Sequence, residues 1–137
     1  MIRILAWLQA ALLGANGLAM LFAGAWWYGV VPGVTATGPY NPHFVRDIGA
    51  AYLVAGVSHA AFALRPRQAW PALAAAAAFL TLHAAIHVFD AVCGTRPLQD
   101  FARDVAGVYL PTLIALGLAL TRARPSHQEM RHAQSPA

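Results

Sequence analysis

Apolar residues fill four long blocks of this chain, roughly residues 4–28, 44–64, 70–89 and 105–121. Each is close to the ~20 residues that carry a helix across a bilayer. Charged residues make up only 10% of the sequence against 59% hydrophobic, whereas a soluble domain carries about 25% charged. So few charges cannot cover a water-facing surface of this size. The expected fold is all-α: a four-helix transmembrane bundle over residues 1–121, followed by a mobile tail at 122–137.

The breaks between the blocks carry turn chemistry. "GVVPGVTATGPYNPH" is a Pro/Gly/Thr loop, "RPRQAWP" a short basic turn, and "CGTRPLQD" a polar turn. Pro71 suits the first turn of a helix, where a missing N–H costs nothing. The start of the chain has some features of a secretory signal, with "AGA" ahead of Trp26. Its apolar stretch exceeds the ~7–15 residues of a signal core, so a retained first helix is expected. Trp26, Trp27 and Tyr28 then form an aromatic girdle at a membrane interface.

Arginine sets the expected orientation. Arg3, the Arg65/Arg67 turn and Arg122, Arg124 and Arg131 all fall on one side of a four-helix scheme. The positive-inside rule places that side, with both termini, in the cytoplasm. The location expected is a bacterial inner membrane, crossed several times, with the two longer loops outside. The net charge of +4 thus reads as topology. Nucleic acid is excluded as a partner because no clustered basic face exists.

Helix one carries a small-residue stripe, Ala11, Ala15, Ala19 and Ala23, with Gly14, Gly17 and Gly24 nearby. Small residues at this spacing let helices approach closely in lipid. Packing within the bundle is the expected use. A homo-oligomer seam, or a contact with a larger membrane complex, is the alternative. The lipid bilayer itself is the partner that composition requires.

The ionisable residues gather toward the outer ends of the helices. His43, Arg46 and Asp47 open helix two, His83, His87 and Asp90 close helix three, and Asp100, Arg103 and Asp104 precede helix four. On an ideal helix His83, His87 and Asp90 fall within roughly 60° of one another. Ionisable groups inside a membrane are costly, usually face the bundle interior, and are functional candidates by default. Two imidazoles one turn apart with a carboxylate suit zinc, iron or copper. His83, His87 and Asp90 are therefore candidate metal ligands, with His43, Asp47 and Asp104 completing the shell and Cys93 close in sequence. Arg46 and Arg103 are the expected structural ion-pair partners of the acids. The same residues also suit a plain ion-pair clasp at the rim, or a path for protons or a small substrate with His83 its deepest member.

A transition metal is thus the cofactor class the donor set suits, and haem fits it poorly. Helices one and four contain no histidine, so helices two and three would have to supply both axial ligands, and His59 with His83 is the interior pair to test. By helical rise these differ in depth by roughly 14 Å. His59, beside Ser58, is better read as a hydrogen-bonded interior residue. Asn16, polar in mid-helix one, is expected to bond across the bundle. No glycine-rich phosphate loop, nucleophile elbow or CxxC motif is present. The single cysteine, Cys93, excludes an intramolecular disulfide.

The stretch "PGVTATGPYNPHFVRDIGAAYL" followed by "LHAAIHVFD" resembles a group of small, uncharacterised four-helix bacterial inner-membrane proteins whose general shape is DoxX-like. The resemblance covers about residues 27–90 and rests on His43, Arg46, Asp47, His83, His87 and Asp90. It implies the four-helix membrane fold and carries no established activity with it. DoxX-like proteins are linked to quinone and thiol redox systems, and this chain departs from the thiol pattern in lacking a paired cysteine.

Overall fold

The computed structural model describes residues 1–94 and 97–122. Within them the chain is helical, with four stretches long and apolar enough to cross a membrane: Ile2–Phe22, Pro42–Leu64, Trp70–Cys93 and Leu98–Thr121. The chain is thus a four-helix bundle of the type found in small integral membrane proteins. The first crossing is α1 (Ile2–Phe22), followed by a short α2 (Gly24–Val30). Next come α3 (Pro42–Leu64) and α4 (Trp70–Cys93), and the fourth crossing is built from α5 (Pro97–Asp104), a π-turn (Val105–Tyr109) and α6 (Leu110–Arg122). The expected tail lies outside the described residues, beyond Arg122.

Up-down connectivity puts Met1, the α3–α4 turn and the end of α6 at one end of the bundle. We call this the termini end. The segment joining α2 to α3 and the α4–α5 connection occupy the other, long-loop end. Arg3 and the Arg65/Arg67 turn share the termini end, as their spacing predicts.

Two expected boundaries shift. The helix predicted over residues 4–28 breaks at Ala23 (φ −130°, ψ 36°), so that α2 leaves in a new direction. The helix predicted to begin at 105 begins instead at Pro97. The acids that mark 97–104 as a loop by composition are offset inside the helix itself, where Arg103 bonds to both Asp100 and Asp104.

Lipid tails are as apolar as leucine, so close packing and interhelical hydrogen bonds hold such a bundle together. The tightest pair is α1 on α3, and glycine makes it so. A Cβ at Gly17 would lie 2.7 Å from the Gly49 carbonyl oxygen and from the Leu53 backbone nitrogen. One at Gly56 would lie 2.7 Å from the Gly14 nitrogen. The alanine stripe does not make this contact: Ala11, Ala15 and Ala23 are exposed, while Gly17 is buried. The face turned to α3 lies to one side of the stripe because glycine permits a closer approach than alanine does.

Hydrogen bonds pin the other helices. Asn41 caps α3 by accepting from the His43 and Phe44 amides, each at 3.1 Å, with Pro42 following it as the cap pattern favours. Trp70 Nε1 donates to the Ala119 carbonyl at 2.9 Å, joining α4 to α6 near the termini end. Thr112 Oγ1 lies within hydrogen-bond distance of both the Leu80 carbonyl (3.2 Å) and the Val108 carbonyl (2.8 Å). Gln9, only 2% exposed, donates from Nε2 to the Pro111 carbonyl at 2.6 Å and so ties α1 to α6.

Candidate functional site

Toward the long-loop end the four crossings enclose a cavity of about 390 Å³. Its apolar wall includes Leu12, Leu13, Met20, Ile48 and Val108, and its polar wall is made by His83, His87, Arg103 and Asp104. That volume falls within the ~300–1,000 Å³ of small-molecule sites, which are mostly apolar with a few convergent polar groups.

The polar wall is a chain of bonded side chains. Arg103 Nε donates to Asp104 Oδ1 at 2.8 Å and its Nη2 reaches Asp104 Oδ2 at 3.2 Å. Nη1 of the same guanidinium donates to Asp100 Oδ1 at 2.7 Å. His87 Nδ1 lies 2.7 Å from Asp104 Oδ2. Asp104 is 7% exposed; Arg103 balances its charge, and Oδ2 is also within hydrogen-bond distance of the imidazole. A carboxylate at Nδ1 fixes the imidazole: the Nδ1 proton points at Asp104 and, in the neutral ring, Nε2 carries the free lone pair.

His83 belongs to the same wall but is held differently. Its ring lies edge-on to Tyr52 (centroids 5.6 Å apart), nearly parallel to Phe79 at 6.1 Å, and 4.7 Å from the His87 ring. Among the described residues its ring makes no hydrogen bond, and it lines the cavity. Trp27 lines the opposite side, its Nε1 donating to Asn16 Oδ1 at 2.8 Å.

The structure therefore gathers His83, His87 and Asp104, with Arg103, and leaves the other candidates apart. His43 and Asp47 form an i,i+4 pair at 3.3 Å on an exposed face of α3, and neither lines the cavity. Asp90 and Cys93 are exposed near the end of α4. Arg46 is exposed and has no acidic partner among the described residues. Asp104, arriving from the neighbouring helix, takes the place beside His87 that helical phase alone gives to Asp90. Among the described residues no three His, Cys, Asp or Glu side chains are grouped so as to hold a metal ion.

His59 lies outside the site. It is fully buried, with Nδ1 2.8 Å from the Ala55 carbonyl and Nε2 without a partner among the described residues. Three cavity residues carry roles that sequence reasoning missed. Trp27, placed in an interface girdle by its neighbours Trp26 and Tyr28, turns inward. Asn16, expected to bond across the bundle, bonds to Trp27 instead. Tyr52 was legible, since it lies on the buried stripe Val45, Gly49, Tyr52, Gly56, His59 that helical periodicity picks out.

Comparison with family models, with curated proteins and with solved structures finds no match for this chain.

Proposed function

We propose that this is a small multi-pass protein of a bacterial inner membrane whose cavity binds a small, largely apolar molecule bearing a hydroxyl group. The observation that supports this reading is the cavity of about 390 Å³, walled by leucine, isoleucine and valine and carrying His83, His87, Arg103 and Asp104 on one side. A charged ligand suits it poorly, because Arg103 already serves two carboxylates. A hydroxyl suits it well. With Nδ1 held by Asp104, Nε2 of His87 is left to accept a hydrogen bond from the hydroxyl, and His83 supplies a second ring nearby. The arginines at the termini end favour an outward-facing long-loop end.

The test is purification in mild detergent, followed by solvent extraction with mass spectrometry and by elemental analysis. The comparison protein is a folded His83→Ala/His87→Ala double variant. A stoichiometric apolar hydroxyl compound present in the parent and lost in the variant is the expected result. Identical extracts from both would overturn the reading. A stoichiometric metal lost in the variant would replace it with the metal site that the imidazoles suggest from sequence.

A second reading has its own observation. Arg103 bridges Asp100 and Asp104 and also lies directly under Gly33 of the long loop, which is the geometry of a structural clasp. A protein built only for that, such as an accessory subunit of a larger complex, would lose stability in Arg103 variants and show no bound compound.

A further inference from the structure

The cavity has one end crowded by bonded groups and one open flank. At the long-loop end Gly33, in the left-handed region at φ +85°, sits so close to Arg103 that a Cβ there would lie 2.5–2.7 Å from the guanidinium. That guanidinium is tied to two carboxylates, so a bonded side chain and the Gly33 backbone crowd this end of the cavity.

The flank between the first and fourth crossings differs. α1 packs against α6, and the two are stitched by the Gln9–Pro111 hydrogen bond. Beyond that stitch no Cα of α1 comes within 8 Å of one in α5 or the π-turn. A seam is left with Leu12 and Asn16 along one lip, the buried Leu13 behind them, and Ala106, Gly107 and Val108 along the other, and all six line the cavity. Leu12 is 52% exposed, Ala106 and Gly107 are exposed, and a Cβ on Gly107 would meet nothing within 4 Å. The π-turn gives the fourth crossing a local widening of the kind that recurs at functional sites.

Depth decides what lies outside this seam. Leu12 stands ten residues before the end of α1, about 15 Å along the helix and near the middle of a ~30 Å hydrocarbon core. At that depth a bilayer would present acyl chains to the seam, and not headgroups or water.

We infer that the occupant reaches the cavity sideways from the lipid phase, through the seam between α1 and the π-turn, and that it is a single-chain apolar alcohol or phenol. Its hydroxyl meets His87 and His83, and its chain leaves between Leu12 and Gly107. A two-tailed phospholipid does not suit a single seam bordered by one leucine row. This inference rests on the binding reading above and adds the route and the class of ligand.

The experiment reconstitutes the full chain in phosphatidylcholine vesicles with a long-chain alcohol carrying a diazirine on its chain, then maps photolabelled residues by mass spectrometry. Label is expected on the Leu12–Asn16 and Val105–Val108 stretches, and also on the lipid-facing control Val54, which is 66% exposed. Gly107→Trp fills the open lip and should abolish the cavity label while sparing Val54. Leu12→Trp seals the same seam from α1, so the outcome does not hang on one variant folding. Unchanged cavity labelling in both sealed variants would overturn the inference.

A short diazirine glycol that partitions into water separates the two proposals. Labelling of His83 and His87 by the glycol, insensitive to both seals, would leave the binding site standing and refute the lateral route. Seam labelling that persists unchanged in His83→Ala/His87→Ala would support the route and remove the histidines from recognition. A dimer by native mass spectrometry whose seam stays unlabelled would assign the flank to a second copy of the chain and overturn the inference.

Discussion

Replacing Gly56 with alanine adds one methyl group where α1 and α3 touch. The new Cβ would stand 2.7 Å from the Gly14 nitrogen, 3.0 Å from its Cα and 3.1 Å from the Ala10 carbonyl oxygen. All three atoms are backbone, so no side chain can swing away, and α1 must retreat by several tenths of an ångström along the seam. Overpacking of this kind costs about 1–3 kcal/mol. The gain in helix propensity from Gly to Ala returns roughly 1 kcal/mol, leaving a net loss of about 0–2 kcal/mol. Gly14→Ala is the matched control, because its Cβ would meet nothing within 4 Å even though it sits in the same interface. It should be neutral or stabilising by up to about 1 kcal/mol. Equilibrium unfolding in mixed micelles with increasing SDS, followed by far-UV circular dichroism, should therefore separate the two variants by about 1–3 kcal/mol. Gly17→Ala, with two backbone atoms at 2.7 Å, should behave like Gly56→Ala. Combining the two should cost less than their sum, since one retreat of α1 relieves both. If Gly56→Ala and Gly14→Ala unfold together, close glycine contact is not what holds this pair of helices.

Two further outcomes follow from the polar residues. Asp104→Asn removes the charge that balances Arg103. Breaking a buried pair costs about 3–5 kcal/mol, but the Arg103 side chain is 32% exposed, which lowers the expectation to roughly 1–3 kcal/mol. Asp100→Asn, at the more exposed end of the same network, should cost about 0–1 kcal/mol. The reverse order in SDS unfolding would refute the network described. His59→Leu removes a buried ring nitrogen without a partner among the described residues along with the Nδ1–Ala55 contact, and should change stability by no more than about 1 kcal/mol in either direction. A loss well above that would refute the reading of His59 as a packed interior residue whose Nε2 adds nothing to stability.

The four crossings were legible because hydropathy needs only composition over ~20 residues. Their ends were not, and Ala23 and Pro97 show why. Nothing in "LFAGAWW" distinguishes a helix that runs on from one that bends, because the break is set by where α2 packs. Residues 97–104 read as a loop through their acids, and only the pairing of Arg103 with Asp100 and Asp104 makes them tolerable inside a helix. The same limit applied to the site. His83 and His87 were visible as two imidazoles on one helical face. Which acid would join them depended on a neighbouring helix, and helical phase pointed to Asp90 while the fold supplies Asp104. The alanine stripe on α1 misled for a related reason: spacing identifies a face that permits close approach, but the nearby glycines permit a closer one.

The π-turn at Val105–Tyr109 sets a rotational phase as well as a width. Its closing bond runs from the Leu110 amide to the Val105 carbonyl, one residue further than in an α-helix, so it acts as an α-helix into which a single residue has been inserted. Everything on its N-terminal side is thereby turned by about 100° relative to α6. Deleting one residue there would restore an uninterrupted α-helical ladder and a longer regular helix, yet it would swing Asp104 and Arg103 away from His87. The alignment of an acid on one crossing with a histidine on another thus depends on a miscount of one in the helix between α5 and α6.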